Sequence, residues 1–456
     1  MKEVLLTTRY TDDIYKLIIN ACLKDINKKK ICIKPETIKF KKKPDFIFLF
    51  YCLIILIKGS FFRKDKIALL KFKNVNFGKN LLSITFRSYD TYNSKYKFYY
   101  HLFKNIYKIS IYYQTAEYYL KNYKFNNVYL DHLEYLNGIF YQIFINKNKC
   151  IFTNRYPRNI IKTKNKKISK IFQVKFVKKS FSKLETKKII LKSREVFNSV
   201  KDYIPWMYHT KYHNGSLDNL NKYKYIIYAQ SFTDSQLEHG YDGFTNTFEW
   251  LKYTIEKLNR KNVSFIVKAH PNFYINTKIN SLHERSRWDQ KIYYDLINKY
   301  RLYKNILFIN KPVENIHVIK RLNKKCIAIT KHGSVQLEMI HNNFKIISSA
   351  CNLIDPKYKI SNTWKNKKEY QNLLNRDWDK LKFFHKNNYL NIIHNLFLDK
   401  NSFYGENFYI NQLRKQMVKK NYIKKNSSYE DTINKFNKIN NKNQIIDQIS
   451  LAITKI

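Results

Sequence analysis

Two short stretches concentrate the residue types that do chemistry. VSFIVKAHPN ends an apolar run on Lys268, His270, Pro271 and Asn272, a cation and an imidazole one residue apart, with a proline to fix the turn that aims the ring. KCIAITKHGSVQLE ends a second run, Ile327, Ala328 and Ile329, on His332, Gly333 and Ser334. It then turns helical, with Val335, Leu337, Met339 and Ile340 at helix-like spacing. Lysine and histidine both donate hydrogen bonds to phosphate oxygens. Gly333 permits a tight turn and close approach to a ligand, and Ser334 either caps the helix or turns its hydroxyl to a phosphate. The start of a helix offers free N–H groups and a positive dipole, a natural anion seat. Glu338 falls one turn further on the same face, where a carboxylate can accept from a ribose or sugar hydroxyl. An ordinary capped helix with a solvated glutamate explains the second stretch as well when it is taken alone, and a lone histidine after a strand is usually structural. The two stretches together, at the ends of strands in one sheet, favour a ligand.

Acids and hydroxyls collect at two further strand ends. The run Tyr225–Tyr228 opens into AQSFTDSQLEHGYDGF, which carries Ser231, Thr233, Asp234, His239 and Asp242, with Ser231 and Asp234 as ligand-binding candidates. Much earlier, the run 127–130 ends on Asp131 and His132, a carboxylate and an imidazole side by side that are candidate general bases, with Glu134 nearby. The competing role for Asp131 is to cap the helix that follows.

For these groups to meet, the runs that carry them must be neighbouring strands. From Tyr223 the chain alternates: strands at 225–228, 263–267, 306–309, 327–329 and 345–348, with helices marked by Phe244, Phe248, Leu251, Ile255 and Leu258 and expected at 288–300 and 313–322. That order predicts a doubly wound parallel sheet, whose ligands gather at the carboxyl ends of the strands. Upstream, 127–130, 133–145 and 150–153 form a strand–helix–strand unit. The runs 66–72 and 81–86 are expected as strands, 92–119 as a helix with a Tyr/Phe stripe, and 12–23 suits a helix. Residues 46–57 are strongly apolar, a core strand or helix, with shallow membrane insertion the lesser alternative; they fall short of the ~20 needed to cross a bilayer. The Lys-rich segment 159–201 is the crossing between domains, 206–221 a lip over a cleft, and everything past Ser361 helical and polar, with 401–456 a loosely packed or disordered tail.

A chain of 456 residues can hold two domains with proper cores. The formal charge of +52 first suggests nucleic acid. However, the lysines are spread along the chain, Ile, Tyr and Phe are in equal excess, only 8 Gly and 7 Pro remain, and no zinc-finger, KH, RRM or helix-turn-helix pattern occurs. A/T-rich codon bias accounts for that composition, and an anionic lipid or glycan suits the charge better than specific nucleic-acid binding. The 6 cysteines form no CxxC pair, so neither a zinc ribbon nor a redox motif is indicated and the thiols are expected reduced and mostly buried. The first residues, MKEVLLTTRYTDD, turn acidic too soon for a signal peptide. The expected location is cytoplasmic, with peripheral contact to the inner face of the plasma membrane. Asp377-Trp378-Asp379 matches a metal-binding DxD by letters only, since no apolar strand precedes it, and neither GxGxxG nor a Walker pattern occurs.

Strand-Lys268-x-His270-Pro271 followed by strand-His332-Gly333-Ser334-x-x-x-Glu338 and a strand beginning at Lys345 resembles the donor-binding half of the bacterial capsule polysaccharide biosynthesis proteins, which include Kdo transferases. It is also similar to the His-Pro and Ser motifs of bacterial sialyltransferases. The resemblance covers 225–348 and implies a GT-B fold: two doubly wound domains facing a cleft, here 1–200 on the acceptor side and 201–360 on the nucleotide-sugar side, with 361–456 as the tail. It further implies a metal-independent, cofactor-free inverting glycosyltransferase using a CMP-activated sugar, with His270 on the nucleotide phosphate, Ser334 near the phosphate or sugar carboxylate, and the base, Asp131, supplied by the N-terminal domain. The acidic base motif of the sialyltransferases, two acids followed by Gly, is absent as such. Rival expectations are a UDP-sugar 2-epimerase, a CDP-glycerol-type polyol-phosphate transferase, and a non-catalytic basic protein that binds glycan or membrane.

Overall fold

The structure is a computed structural model that describes residues 3–7, 43–60, 63–154, 160–163, 176–198, 219–398 and 421, except 124, 131–132, 134, 177, 235, 238, 275–279 and 385. The expected helix at 12–23, the lip at 206–221 up to residue 218, parts of the interdomain crossing at 159–201 and the tail beyond 398 lie outside the described residues, residue 421 apart. The chain divides into two compact units, one drawn from residues 1–84, 100–172 and 410–456, the other from Thr85–Tyr99 and Gln173–Tyr409.

The first unit holds a four-stranded sheet in the order β1 (Glu3–Thr7), β4 (Phe125–Leu130), β5 (Cys150–Asn154), β6 (Ile160–Thr163). β1, β4 and β5 run parallel and β6 closes the edge antiparallel, a common departure in otherwise parallel sheets. The strand–helix–strand unit is present, with helix α6 (Asn137–Asn146) between β4 and β5. Two of the expected strands take other forms. Residues 66–72 split into helix α2 (Lys64–Ala68) and strand β2 (Lys71–Phe72), which makes a hairpin with β3 (Val75–Asn76). Residues 81–86 belong largely to helix α3 (Gly78–Thr85): Leu81, Leu82 and Phe86 are all fully buried, a spacing that serves one helix face as readily as a strand. The apolar run at 46–57 is helix α1 (Phe46–Ile55), continued by a π turn over Leu56–Ser60. Its cap is Asp45, which accepts from Phe48 N at 2.9 Å. Two helices follow α3: α4 (Asp90–Asn93), which falls in the second unit, and the long aromatic helix α5 (Lys95–Asn122), which belongs to the first unit from residue 100 on.

In the second unit, helix α7 (Lys183–Asn198) precedes a six-stranded, all-parallel sheet of order β12-β11-β10-β7-β8-β9. Its strands are β7 (Tyr225–Tyr228), β8 (Phe265–Lys268), β9 (Ile306–Ile309), β10 (Ile327–Thr330), β11 (Lys345–Ser349) and β12 (Asn362–Trp364). Ile226, Ile266, Ala328 and Ile346 face one apolar layer, and Ile227, Val267, Ile329 and Ile347 the other. Burial on both faces is why these strands are continuous apolar runs in the sequence. The helices are α8 (Thr247–Arg260), α9 (Asn280–Tyr300), α10 (Asn315–Ile319), α11 (Val335–His341), α12 (Lys367–Leu374) and α13 (Lys386–Ile393). The sixth strand, β12, corrects the expectation that the chain past Ser361 is helical throughout, and α10 is shorter than the expected 313–322. Counted within this unit, the strand order reverses between β7 and β10. Such a reversal parts the loops that leave the two strands and opens a crevice at their carboxyl ends.

Candidate functional site

The polar groups at this edge of the sheet come from the loops after β7, β8 and β10 and from the starts of α10 and α11. β8 ends on Lys268, 4% exposed, and passes through Ala269 and His270 into a 3-10 turn over Pro271–Tyr274, with the His270 ring 6.0 Å from that of Phe273. Pro271 and the backbone of Asn272 therefore form the turn that follows the histidine, as the proline led one to expect. β10 ends on Thr330 and continues with Lys331, His332 and Gly333. Gly333 has φ +127°, a backbone geometry that side-chain-bearing residues rarely adopt, so glycine is required at this turn. Gln336 donates to the Gly333 carbonyl at 3.0 Å and to Asn352 at 3.1 Å, which fastens the turn from beneath.

At the reversal itself the loops after β7 and β10 interlock. Lys331 Nζ lies 3.1 Å from Asp242 Oδ1 with both side chains almost wholly buried, an ion pair by distance; its angles are poor enough that Lys331 Nζ has no hydrogen-bond partner among the described residues. The rings of His239 and His332 meet edge to face at 5.4 Å. Gln230 donates to Thr330 Oγ1 at 3.0 Å, and Thr330 Oγ1 donates to the His332 carbonyl at 3.0 Å. His332 Nε2 is buried without a hydrogen-bond partner among the described residues.

Burial makes the imidazoles neutral. It holds His270 down to about 4, helped by the Lys268 charge and opposed by Asp234. His239 falls to about 4 through burial and Lys331. His332 lies well below the usual histidine value through burial and through His239, Lys331 and His270, which places all three groups around it. Burial also lowers Lys268 to about 8, against the pull of Glu338, and raises Glu338 to about 7, against hydrogen bonding from Asn315 and the Lys268 charge. Glu338 is thus no solvated helix residue. It is 7% exposed and accepts from Asn315 Nδ2 at 3.1 Å, while Asn315 Oδ1 accepts from Tyr228 Oη at 2.8 Å.

Ser334 stands at the head of α11 in helical conformation and makes no side-chain capping bond. The helix it precedes has only 7 residues, so its dipole is small and the fixed cations beside it dominate the local field. Ser231 and Asp234 are engaged elsewhere. Ser231 Oγ donates to Asp289 Oδ2 at 2.5 Å, and the same carboxylate accepts Phe232 N and Thr233 N, each at 2.9 Å. Asp234 pairs with Arg285 at 3.5 Å. These two residues therefore shape the loop after β7, with the Asp234 charge still felt by His270.

Lys268, His270, His332, Gly333 and Glu338 thus come from separate strand ends to one electrostatically connected cluster, with Ser334 adjoining in sequence. Asp131, His132 and Glu134 lie outside the described residues. Reading by sequence named His239 and Asp242 as loop residues without a role, missed Lys331 and Asn315 as parts of the cluster, and missed Asp289 as the partner of Ser231. Lys331 carried the same signal as Lys268, a cation directly after a buried strand. Asp289, in mid-helix, carried none. The Asp377-Trp378-Asp379 stretch has a local structural use: Lys345 Nζ sits 3.6 Å from the Trp378 ring and donates to its carbonyl at 2.8 Å, while Asp377 is exposed.

What the cluster offers a ligand is N–H donors and buried ammonium groups without a bulk positive charge. Neutral imidazoles donate hydrogen bonds to phosphate oxygens at no cost for burying a cation, and Lys268 supplies charge that a carboxyl tunes.

No protein-family model matches the chain, and no curated protein matches it. Among solved structures it is similar to the Thermosulfurimonas dismutans KpsC beta Kdo 2,4 transferase, at 7% identity and a TM-score of 0.33, over 59% of this chain and 79% of that one. It is similar also to the Methanocaldococcus jannaschii UDP-GlcNAc 2-epimerase in complex with UDP-GlcNAc and UDP, at 14% identity and a TM-score of 0.24, over 86% and 99% of the two chains. An OtsA apo structure matches at 10% identity and a TM-score of 0.28, over 90% and 98%.

Proposed function

We propose that the chain is a GT-B-type glycosyltransferase of surface polysaccharide biosynthesis, capsule or lipopolysaccharide, that moves a sugar from a nucleotide-activated donor to a glycan or lipid-linked acceptor with inversion. The observation that carries the proposal is the meeting of Lys268, His270 and His332, with Lys331 and Glu338, at the point where the order of the parallel strands reverses. In an inverting transfer the acceptor hydroxyl attacks the anomeric carbon, a base takes its proton, and the bond to the phosphate oxygen breaks. Negative charge then grows on the leaving phosphate, where fixed donors count most. His270 and Lys268 are assigned to that phosphate, His332 and Ser334 to the phosphate or sugar carboxylate, and Glu338 to a ribose or sugar hydroxyl. Asp131, with His132 beside it, is assigned as the base. The scheme uses no metal ion, and a CMP-linked sugar is the favoured donor. The strong positive charge suits an acceptor displayed at an anionic membrane surface.

A thermal-shift screen against CMP, CDP, UDP and GDP tests this. At ~100 times the dissociation constant a nucleotide stabilises by ~2.7 kcal/mol. CMP or CDP should give the largest shift, and His270→Ala or Ser334→Ala should abolish it while leaving the unliganded melting profile in place. A preference for UDP with inversion at C2 of a free UDP-sugar would instead mark an epimerase. Absence of any nucleotide shift in the folded wild type would leave a non-catalytic binding protein.

A further inference from the structure

Helix α1 turns two apolar faces in opposite directions. Phe48, Cys52 and Leu56, four residues apart, are buried in the first unit, where the Phe48 ring lies 5.0 Å from Phe72, 4.9 Å from Phe77 and 5.8 Å from Tyr113. On the other side Phe46 is 72% exposed, Ile47 72%, Phe50 64%, Leu53 44% and Ile57 69%, with Tyr51 at 37% on the margin. Phe46, Phe50, Leu53 and Ile57 recur at the spacing of one helical face. No charged residue occurs between Phe46 and Ile57, whereas Lys41, Lys42 and Lys43 precede the helix and Lys58, Arg63, Lys64 and Lys66 follow it. The acids nearby are already engaged: Asp45 caps the helix, and Asp65 pairs with Arg63 at 2.9 Å.

We propose that the outer face of α1 is a membrane anchor that lies in the interface of a bilayer containing anionic lipid, with its apolar side chains among the acyl chains and the lysines at either end on the head groups. A contiguous apolar face this large, on a helix already seated in a core by its opposite side, marks an interaction surface. The collar of basic residues selects the partner, because it complements anionic head groups, and an interfacial helix of this kind combines apolar burial with charge attraction. No described helix is long and apolar enough to cross a membrane. At 1.5 Å per residue the apolar stretch 46–57 reaches roughly 18 Å, against roughly 30 Å of hydrocarbon, so it lies along the surface. The anchor does not depend on the proposed transfer reaction, and it is tested without any sugar substrate, so either can fail alone.

The test is co-sedimentation of the full chain with vesicles of phosphatidylcholine alone and of phosphatidylcholine mixed with phosphatidylglycerol. The wild type should favour the mixed vesicles. Phe50→Glu/Ile57→Glu should lower its partition coefficient at least ~tenfold, whereas the control Leu302→Glu/Tyr303→Glu, equal in charge and on exposed apolar residues of the other unit, should lower it less than ~twofold. Equal losses in both would reduce the effect to net charge and overturn the anchor. Unchanged vesicle binding in the α1 variant would overturn it too, and a dimer in the wild type that this variant breaks would assign the face to a second copy of the chain. Should the α1 variant fail to fold, Phe50→Trp keeps the face apolar and gives an independent readout: its fluorescence should be quenched by brominated lipid, and an unquenched signal on bound protein refutes insertion.

Discussion

The buried Lys331–Asp242 pair ties together the two loops that frame the strand-order reversal, and its removal should cost more than that of any other ion pair described here. Asp242→Asn preserves shape, and the amide oxygen can still accept from Phe244 N, now 3.3 Å from Asp242 Oδ1. The substitution therefore isolates the charge. At 3.1 Å and an effective dielectric of about 20 the lost attraction is about 5 kcal/mol, and a buried cation left alone typically costs 3–5 kcal/mol. Lys331 is 1% exposed, so water cannot take over from the carboxylate without opening the loop. Urea unfolding at pH 7 is the assay, followed by fluorescence. All five tryptophans fall within Gln173–Tyr409, so the signal reports that unit. The double replacement Asp242→Leu/Lys331→Met should recover most of the loss, because an apolar pair of similar volume needs no counter-charge. If Asp242→Asn costs less than about 1 kcal/mol, or if the double variant is as unstable as the single one, the pair is not the brace argued for here.

Three other outcomes follow from the same geometry. Gly333→Ala should destabilise by about 1–3 kcal/mol, read as a fall in melting temperature, since the strand-to-helix turn needs φ +127°. Asp289 is raised to about 7 by burial despite its hydrogen bonds from Ser231 and Thr233, so its contribution to stability is full below about 4 and is lost as pH rises through 7. Asp289→Asn can keep the hydrogen bonds and should gain on the wild type between pH 4 and pH 8 by up to about 4 kcal/mol; parallel stability profiles would refute that assignment. Binding of CMP at pH 8, where its phosphate is already ionised, should draw protons onto Lys268, and calorimetry in two buffers of different ionisation enthalpy should return a net uptake rather than zero.

Legibility of the sequence tracked burial. β7, β8, β10 and β11 are covered on both faces and so stand out as unbroken apolar runs, and the polar residues that follow β8 and β10 are the ones that reach the cluster. Where an apolar run is short and serves a single face, letters alone do not separate strand from helix, and Leu81 and Leu82 went to a helix with Phe86 in the turn after it. The order of the strands was not legible, because it depends on which face each crossover helix takes. For the same reason the partners that act across the reversal, Asp242 for Lys331 and His239 for His332, did not stand out among other loop residues.

That topology also explains how the charges of the cluster are balanced. A loop leaving β7 and a loop leaving β10 are brought together only by the reversal, and each delivers groups that the other must satisfy without water. Lys331 meets Asp242 from the opposite loop; Lys268, at the end of β8, feels Glu338 from the helix after β10; and the imidazoles give up their protons because they are buried beside Lys268 and Lys331, with Asp234 opposing only in part at His270. Under the proposed function, a phosphate bound there would meet donors that the fold has already fixed in place. Electrostatic preorganisation of that sort favours the state in which negative charge has just been released onto the ligand, which is the demand that transfer from a nucleotide-activated sugar makes of its enzyme.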